Sequence, residues 1–162
     1  IGTLKGELHG GANEQVMRML LEIASPKRLE AYLDHALSSK RKVMGFGHRV
    51  YKEGDPRAAI LKRMSAELTA EIGRPELYEM SAAIEETMHD RKGLIPNVDF
   101  YSATVYYSMG IPIDLFTPVF AASRVAGWCA HILEQYSNNR IYRPRGNYVG
   151  PRDLHYVPID ER

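Results

Sequence analysis

A single cysteine, Cys129, in 162 residues excludes an internal disulfide and any cysteine-based zinc site. Neither sign of charge is in excess: 21 Lys and Arg stand against 20 Asp and Glu, a formal net charge of +1. Binding nucleic acid or an anionic membrane without sequence preference needs a cationic surplus. Neither partner is therefore expected unless the charge is strongly segregated. No apolar run approaches the roughly 20 residues that cross a bilayer. The chain opens Ile1-Gly2-Thr3, with no initiator Met and no basic-then-apolar signal pattern. The expectation is a soluble, cytoplasmic protein and a piece of something longer. What is present fits a globular chain of one domain or slightly more: 44% hydrophobic and 25% charged residues.

The dominant rhythm is helical. Ser25-Pro26 reads as a cap with proline at the first helical position, followed by Leu29, Tyr32, Leu33, Ala36 and Leu37 on one face. Asp55-Pro56 repeats the signal, and Ile60, Leu61, Met64, Leu68 and Ile72 predict the buried face of the next helix, stopped at Gly73. Pro75 opens a helix through Leu77, Met80, Ile84 and Met88 to Gly93. Further helices are predicted from Glu14 to Ala24, from Val98 to Met109, and from about Pro118 to Ser137. In the last, Val119, Ala122, Ala126, Cys129 and Leu133 form a small-residue stripe suited to close helix packing, and Trp128 reads as core. No strand is predicted. The segment from Tyr142 to Arg162, with Pro144, Pro151 and Pro158, reads as an extended tail lying on some other surface.

Three stretches are unusual for plain helical connections. Leu8-His9-Gly10-Gly11-Ala12-Asn13-Glu14 is either a glycine-rich helix entry or a backbone that approaches a ligand, with His9 as a donor. Gly45-Phe46-Gly47-His48-Arg49 with Lys52, Asp55, Pro56 and Arg57 is a solvated basic loop or a site for a flat or phosphorylated ligand. Arg57 falls in the first turn of a helix, where a cation opposes the dipole, and this mismatch favours anion binding over a structural role. In Pro96-Asn97-Val98-Asp99, Asp99 is a capping carboxylate or a general base held among apolar neighbours. Arg124, amid Ala121, Ala122, Val125 and Ala126, either snorkels to water or meets an anion. The remaining histidines have no partner at metal-ligand spacing.

These three stretches in this order, followed by Ser123-Arg124 and Arg143-Pro144, resemble citrate synthase along essentially the whole chain. The resemblance implies an all-α fold. Residues 12–117 would be the small, CoA-binding domain, and residues 1–11 and 118–162 parts of the large domain. It implies an acyltransferase of the tricarboxylic acid cycle that condenses acetyl-CoA with oxaloacetate and water, with no cofactor and no metal. His9 would hydrogen-bond the thioester oxygen, Asp99 would remove a methyl proton, and His48 would polarise the oxaloacetate carbonyl. Arg57 and Arg124 would hold its carboxylates, and Arg143 would reach the partner's active site in a homodimer. Val43, Met44, Gly45, Phe46 and Gly47 would line the adenine pocket, with Lys52 near the CoA phosphates. Family members are more than twice this length, so the 162 residues alone are expected to have little or no synthase activity.

The implied roles are physically coherent. An α-proton of a thioester is very weakly acidic, so a donor must stabilise the enolate as it forms, and one carboxylate then suffices as base. A dicarboxylate suits guanidinium groups, and a reactive enol needs shielding by domain closure. Two other readings are 2-methylcitrate synthase, using propionyl-CoA with the same residues, and a non-catalytic helical module that binds CoA or another nucleotide.

Overall fold

The computed structural model describes residue 4 and residues 11–51 and 53–162. Among the described residues six α-helices follow one another: α1 (Ala12–Ile23), α2 (Leu29–Ser38), α3 (Pro56–Glu71), α4 (Pro75–Lys92), α5 (Val98–Ser108) and α6 (Phe116–Ser137). Among the described residues there is no strand, only a single antiparallel bridge between Phe46 and Pro96. No described helix is long and apolar enough to cross a membrane. The punctuation follows from local chemistry. Pro56 and Pro75 open α3 and α4, where a missing N–H leaves no bond unmade, and Gly93 ends α4 at φ 62°.

The chain divides into two compact units, residues 1–126 and 127–162. In the first, α5 is the central helix. Its residues from Phe100 to Val105 are all buried, because α3, α1 and α4 pack around it. Val16, Leu20 and Ile23 of α1, Leu33 of α2, and Leu77, Met80 and Ile84 of α4 complete the core. Tyr101 of α5 donates to Glu85 of α4, which also pairs with Lys62 of α3 at 2.8 Å. Burial pushes the Tyr101 phenol far above its ordinary range, so it stays a protonated donor.

Two expectations are overturned. The predicted buried face of α3 packs only in part: Ile60, Met64 and Ile72 are exposed and Leu61 and Leu68 are half-buried, Leu61 against the core, while the fully buried positions are Ala58, Ser65 and Thr69. The reason is that α3 lies along α5 on its small side chains, where Ser65 and Thr104 share a 2.7 Å hydroxyl–hydroxyl bond and Thr69 bonds the Ser65 carbonyl. Trp128 of α6, read as core, is also not buried. Phe116 is that helix's one buried residue; Ala122, Ala126, Cys129 and Leu133 are exposed, and Trp128 is only half-buried.

The second unit takes the end of α6 and then runs irregularly to a short 3-10 turn at Ile159–Glu161. Prolines 144, 151 and 158 each remove an amide donor, and the segment's side chains are almost all exposed.

Candidate active site

Two of the unusual stretches are stitched together by backbone. Gly47 N–H donates to Ile95 O at 3.0 Å and Asn97 N–H donates to Gly45 O at 2.9 Å. Asn97 then does two further things. Its Oδ1 accepts from the Asp99 amide (2.9 Å), capping α5, and its Nδ2 donates to Gly47 O (2.8 Å). The capping role expected of Asp99 thus belongs to Asn97, and Asp99 is left in the first turn, half-buried, with its carboxylate not used as the helix cap. Gly45 makes this approach possible. It sits at φ 84°, and a Cβ there would stand 2.9 Å from Phe100 and from Val16.

Asp55 joins the third stretch to the second. Its side chain is 1% exposed, and its oxygens accept from the Arg57 amide (3.0 Å), from Arg57 Nε and Nη2 (2.9 and 2.8 Å), and from the Val98 amide (3.0 Å). One carboxylate therefore caps α3, fixes the Arg57 guanidinium by a two-pronged pair, and anchors the start of α5. Arg57's bonds hold Asp55 below the ordinary carboxylate value of 3.8. This pairing also answers the dipole mismatch: the cation at the start of α3 is balanced locally, so the mismatch gives no independent argument for anion binding.

His48 is held in one tautomer. Its Nδ1 accepts from the amides of Val50 and Tyr51, both at 3.0 Å, so the proton of the neutral ring sits on Nε2. The ring packs against Tyr51 with centroids 4.6 Å apart, and the Arg57 guanidinium lies 5.7 Å from the Tyr51 ring centre.

These pieces open onto one cleft of about 900 Å³ in the first unit. Val43, Met44, Gly45, Phe46, Gly47, His48, Arg57, Asp99 and Arg124 all line it, together with Gly11, Asn13 and Thr117. Thr117 donates to Glu14 at 2.9 Å, tying the start of α6 to the start of α1. Arg124 is exposed, 5.3 Å over the Phe120 ring, with no carboxylate of a described residue in ion-pair reach. His9 and Lys52 lie outside the described residues. Arg143 belongs to the second unit, where it is exposed. The sequence marks Asp55 as a helix cap but not its bonds to the Arg57 guanidinium and the Val98 amide, and it missed Asn97, although an Asn just before a helix is a usable capping signal.

The charge is segregated after all. Of the described residues lining the cleft seven are Lys or Arg, and Asp99 is the one carboxylate. Arg41 and Arg57 of the seven are balanced by Glu22 and Asp55; the remaining cations give the wall a positive surplus, which concentrates anions.

Known proteins carry the same arrangement of sequence and fold. The model of the citrate synthase C-terminal domain matches residues 1–145. The chain is 60% identical over 162 residues to "Citrate synthase 2" of Bacillus subtilis, covering all of this chain and 44% of that one. It is 51% identical over 153 residues to the "Citrate/2-methylcitrate synthase" of the same organism, covering 94% and 41%. The solved ternary complex of citrate synthase from Thermoplasma acidophilum with carboxymethyl coenzyme A and oxaloacetate superposes with a TM-score of 0.86 at 41% identity, over 98% of this chain and 44% of that one. The chain thus spans less than half the length of these relatives. A match that runs through all the stretches converging on the cleft leaves one assignment: this all-α chain belongs to the citrate synthase family.

Proposed function

We propose that this chain supplies the small domain and part of the active site of an enzyme that condenses acetyl-CoA with oxaloacetate and water to citrate and CoA. One observation carries the reading: Asp99, His48, Arg57 and Arg124 share a single cationic cleft with the Val43–Gly47 segment. Asp99 takes a proton from the acetyl methyl group, and His9 donates to the thioester oxygen as the enolate forms. The nucleophilic carbon attacks the oxaloacetate carbonyl carbon, which His48 polarises through Nε2–H, the nitrogen its backbone bonds leave available. Water then cleaves the thioester. Arg57 and Arg124 hold the substrate carboxylates, and Val43 to Gly47 with Lys52 hold CoA. No further cofactor or metal takes part. The enzyme is a cytoplasmic homodimer of the tricarboxylic acid cycle in which Arg143 completes the partner's site. Residues 12–117 act as the small domain that closes over the reactants.

The test is Asp99→Ala in a full-length protein carrying this sequence. Condensation should fall by about 10²- to 10⁴-fold while oxaloacetate still binds. Unchanged turnover would overturn the role given to Asp99, and CoA binding with no condensation by the full-length parent would leave a CoA-binding module. Use of propionyl-CoA is the second reading, favoured by the relative whose name includes both activities. The two acyl groups differ by one methylene, worth about 1–3 kcal/mol, so the ratio of their kcat/KM values decides between them.

A further inference from the structure

We infer that Asn97 is a positioning residue that registers His48 against Asp99: its one carboxamide grips the two peptide groups from which those side chains leave the backbone. This rests on the roles proposed above for His48 and Asp99.

Asn97 Nδ2 donates at 2.8 Å to Gly47 O, the carbonyl of the peptide group that enters His48. Asn97 Oδ1 accepts at 2.9 Å from the Asp99 N–H, the amide of the peptide group that enters Asp99. A carbonyl needs a donor and an amide an acceptor, so the two bonds fix which way the carboxamide points. The main chain of Asn97 is itself held, its N–H donating to Gly45 O at 2.9 Å and its O accepting from the Phe100 N–H at 3.2 Å. Capping α5 does not by itself call for asparagine. Asp or Ser caps a helix as well, but Asp has no donor for Gly47 O, and Ser is one bond shorter, with one oxygen where Asn has two separate polar atoms.

Gly47 is where such a clamp matters. It sits at φ 77°, and among the described residues no atom beyond its chain neighbours lies within 4 Å of where a Cβ would stand. Packing therefore does not hold this backbone on that side; hydrogen bonds do, the Gly47 N–H on Ile95 O at 3.0 Å and the Asn97 side chain on Gly47 O. His48 in turn is tied to its own loop, since its Nδ1 accepts from the amides of Val50 and Tyr51. The ring goes where the Gly47–His48 peptide goes, and the Asn97 bond aims Nε2–H relative to the start of α5. Misplacing reacting groups by about 1 Å can cost about 100-fold in rate, so one bond at this point has a large lever.

The experiment measures thermal midpoints and condensation kinetics in a full-length protein carrying this sequence, with Asn97→Asp, Asn97→Ser and Asn97→Ala each alone and in a His48→Ala background. Asn97→Asp and Asn97→Ser keep an acceptor for the Asp99 amide and lose the bond to Gly47 O. Their midpoints should stay within about 2 °C of the parent while kcat falls about 10- to 100-fold. Asn97→Ala should show the same fall in kcat and a midpoint lower by about 2–4 °C. With His48→Ala already present, Asn97→Ser should lower kcat by less than about twofold, because no imidazole is left to place. A full multiplicative loss in that background, a fall in kcat that only tracks the folded fraction, or unchanged kcat in both capped variants would overturn the positioning role and leave the proposed reaction standing. A parent that does not condense the two substrates, or His48→Ala with the parent's kcat, would overturn the reading beneath it as well.

Discussion

The two units contain the same kinds of side chain and give them opposite fates. In residues 1–126, Val16, Leu20 and Ile23 are fully buried; in residues 127–162, Ile141, Val149 and Ile159 are 92%, 89% and 82% exposed. In the first unit, capped helices present apolar stripes to one another, so each burial is shared by two partners. In the second, the segment after Ser137 forms only the short 3-10 turn at Ile159–Glu161, and the chain spans less than half the length of its relatives, so this exposure is that of the 162 residues taken by themselves. The cleft depends on the first condition, because its residues are set by helix starts that packing has fixed.

The sharpest way to break this comparison is to truncate one apolar side chain in each unit. Phe100→Ala should cost about 3–5 kcal/mol by urea unfolding. Ile141→Ala should stay within about 0.5 kcal/mol. Equal losses would mean that the two units share one core.

A middle-sized effect belongs to the joint at Asp55. Asp55→Asn should destabilise the first unit by about 2 kcal/mol, less than a fully buried pair would lose because the Arg57 side chain is 42% exposed. The sign of the pH effect follows from the lowered Asp55 value. Its stabilisation is complete above 3.8, its ordinary value, and is lost as pH falls below that through the folded value. Thermal melts between pH 5 and 2, on the order of the carboxylate range, should show this loss in the parent and a flatter profile in Asp55→Asn.

The smallest effect sharpens the reading of α3. Ser65→Ala, which removes the Ser65 bond and leaves the Thr104 hydroxyl only its bond to the Tyr101 carbonyl, should cost about 1 kcal/mol. Ile60→Ala, on the face that hydropathy alone would bury, should change stability by less than about 0.5 kcal/mol. The reverse ranking would restore the hydrophobic stripe as the packing face.

Much of the site is legible in the amino-acid sequence. Gly45 to His48, Asp55 to Arg57 and Pro96 to Asp99 stand out as unusual for helical connections, and side chains from all three line one cleft. How they are joined is not legible there. The Asn97 bond to Gly47 spans 50 residues of sequence and the Asp55 bond to Val98 spans 43. No local pattern encodes pairs that far apart. The near-neutral total charge likewise conceals seven cationic side chains around one carboxylate, because a sum carries no positions.

Most helix ends follow from local chemistry, since proline at a first turn, an Asx cap and a left-handed glycine act within a few residues of themselves; α2 departs from this, starting at Leu29 after a 3-10 turn in which Ser25 makes no cap bond. Which residues of a helix are fully buried and which cation is balanced came from packing between elements distant in the chain. Those outcomes depend on the neighbour that arrives, and α3 makes the reason plain: Ser65 is buried because Thr104 and the small side chains of α5 are there to meet it, and Ile60 is exposed because nothing is.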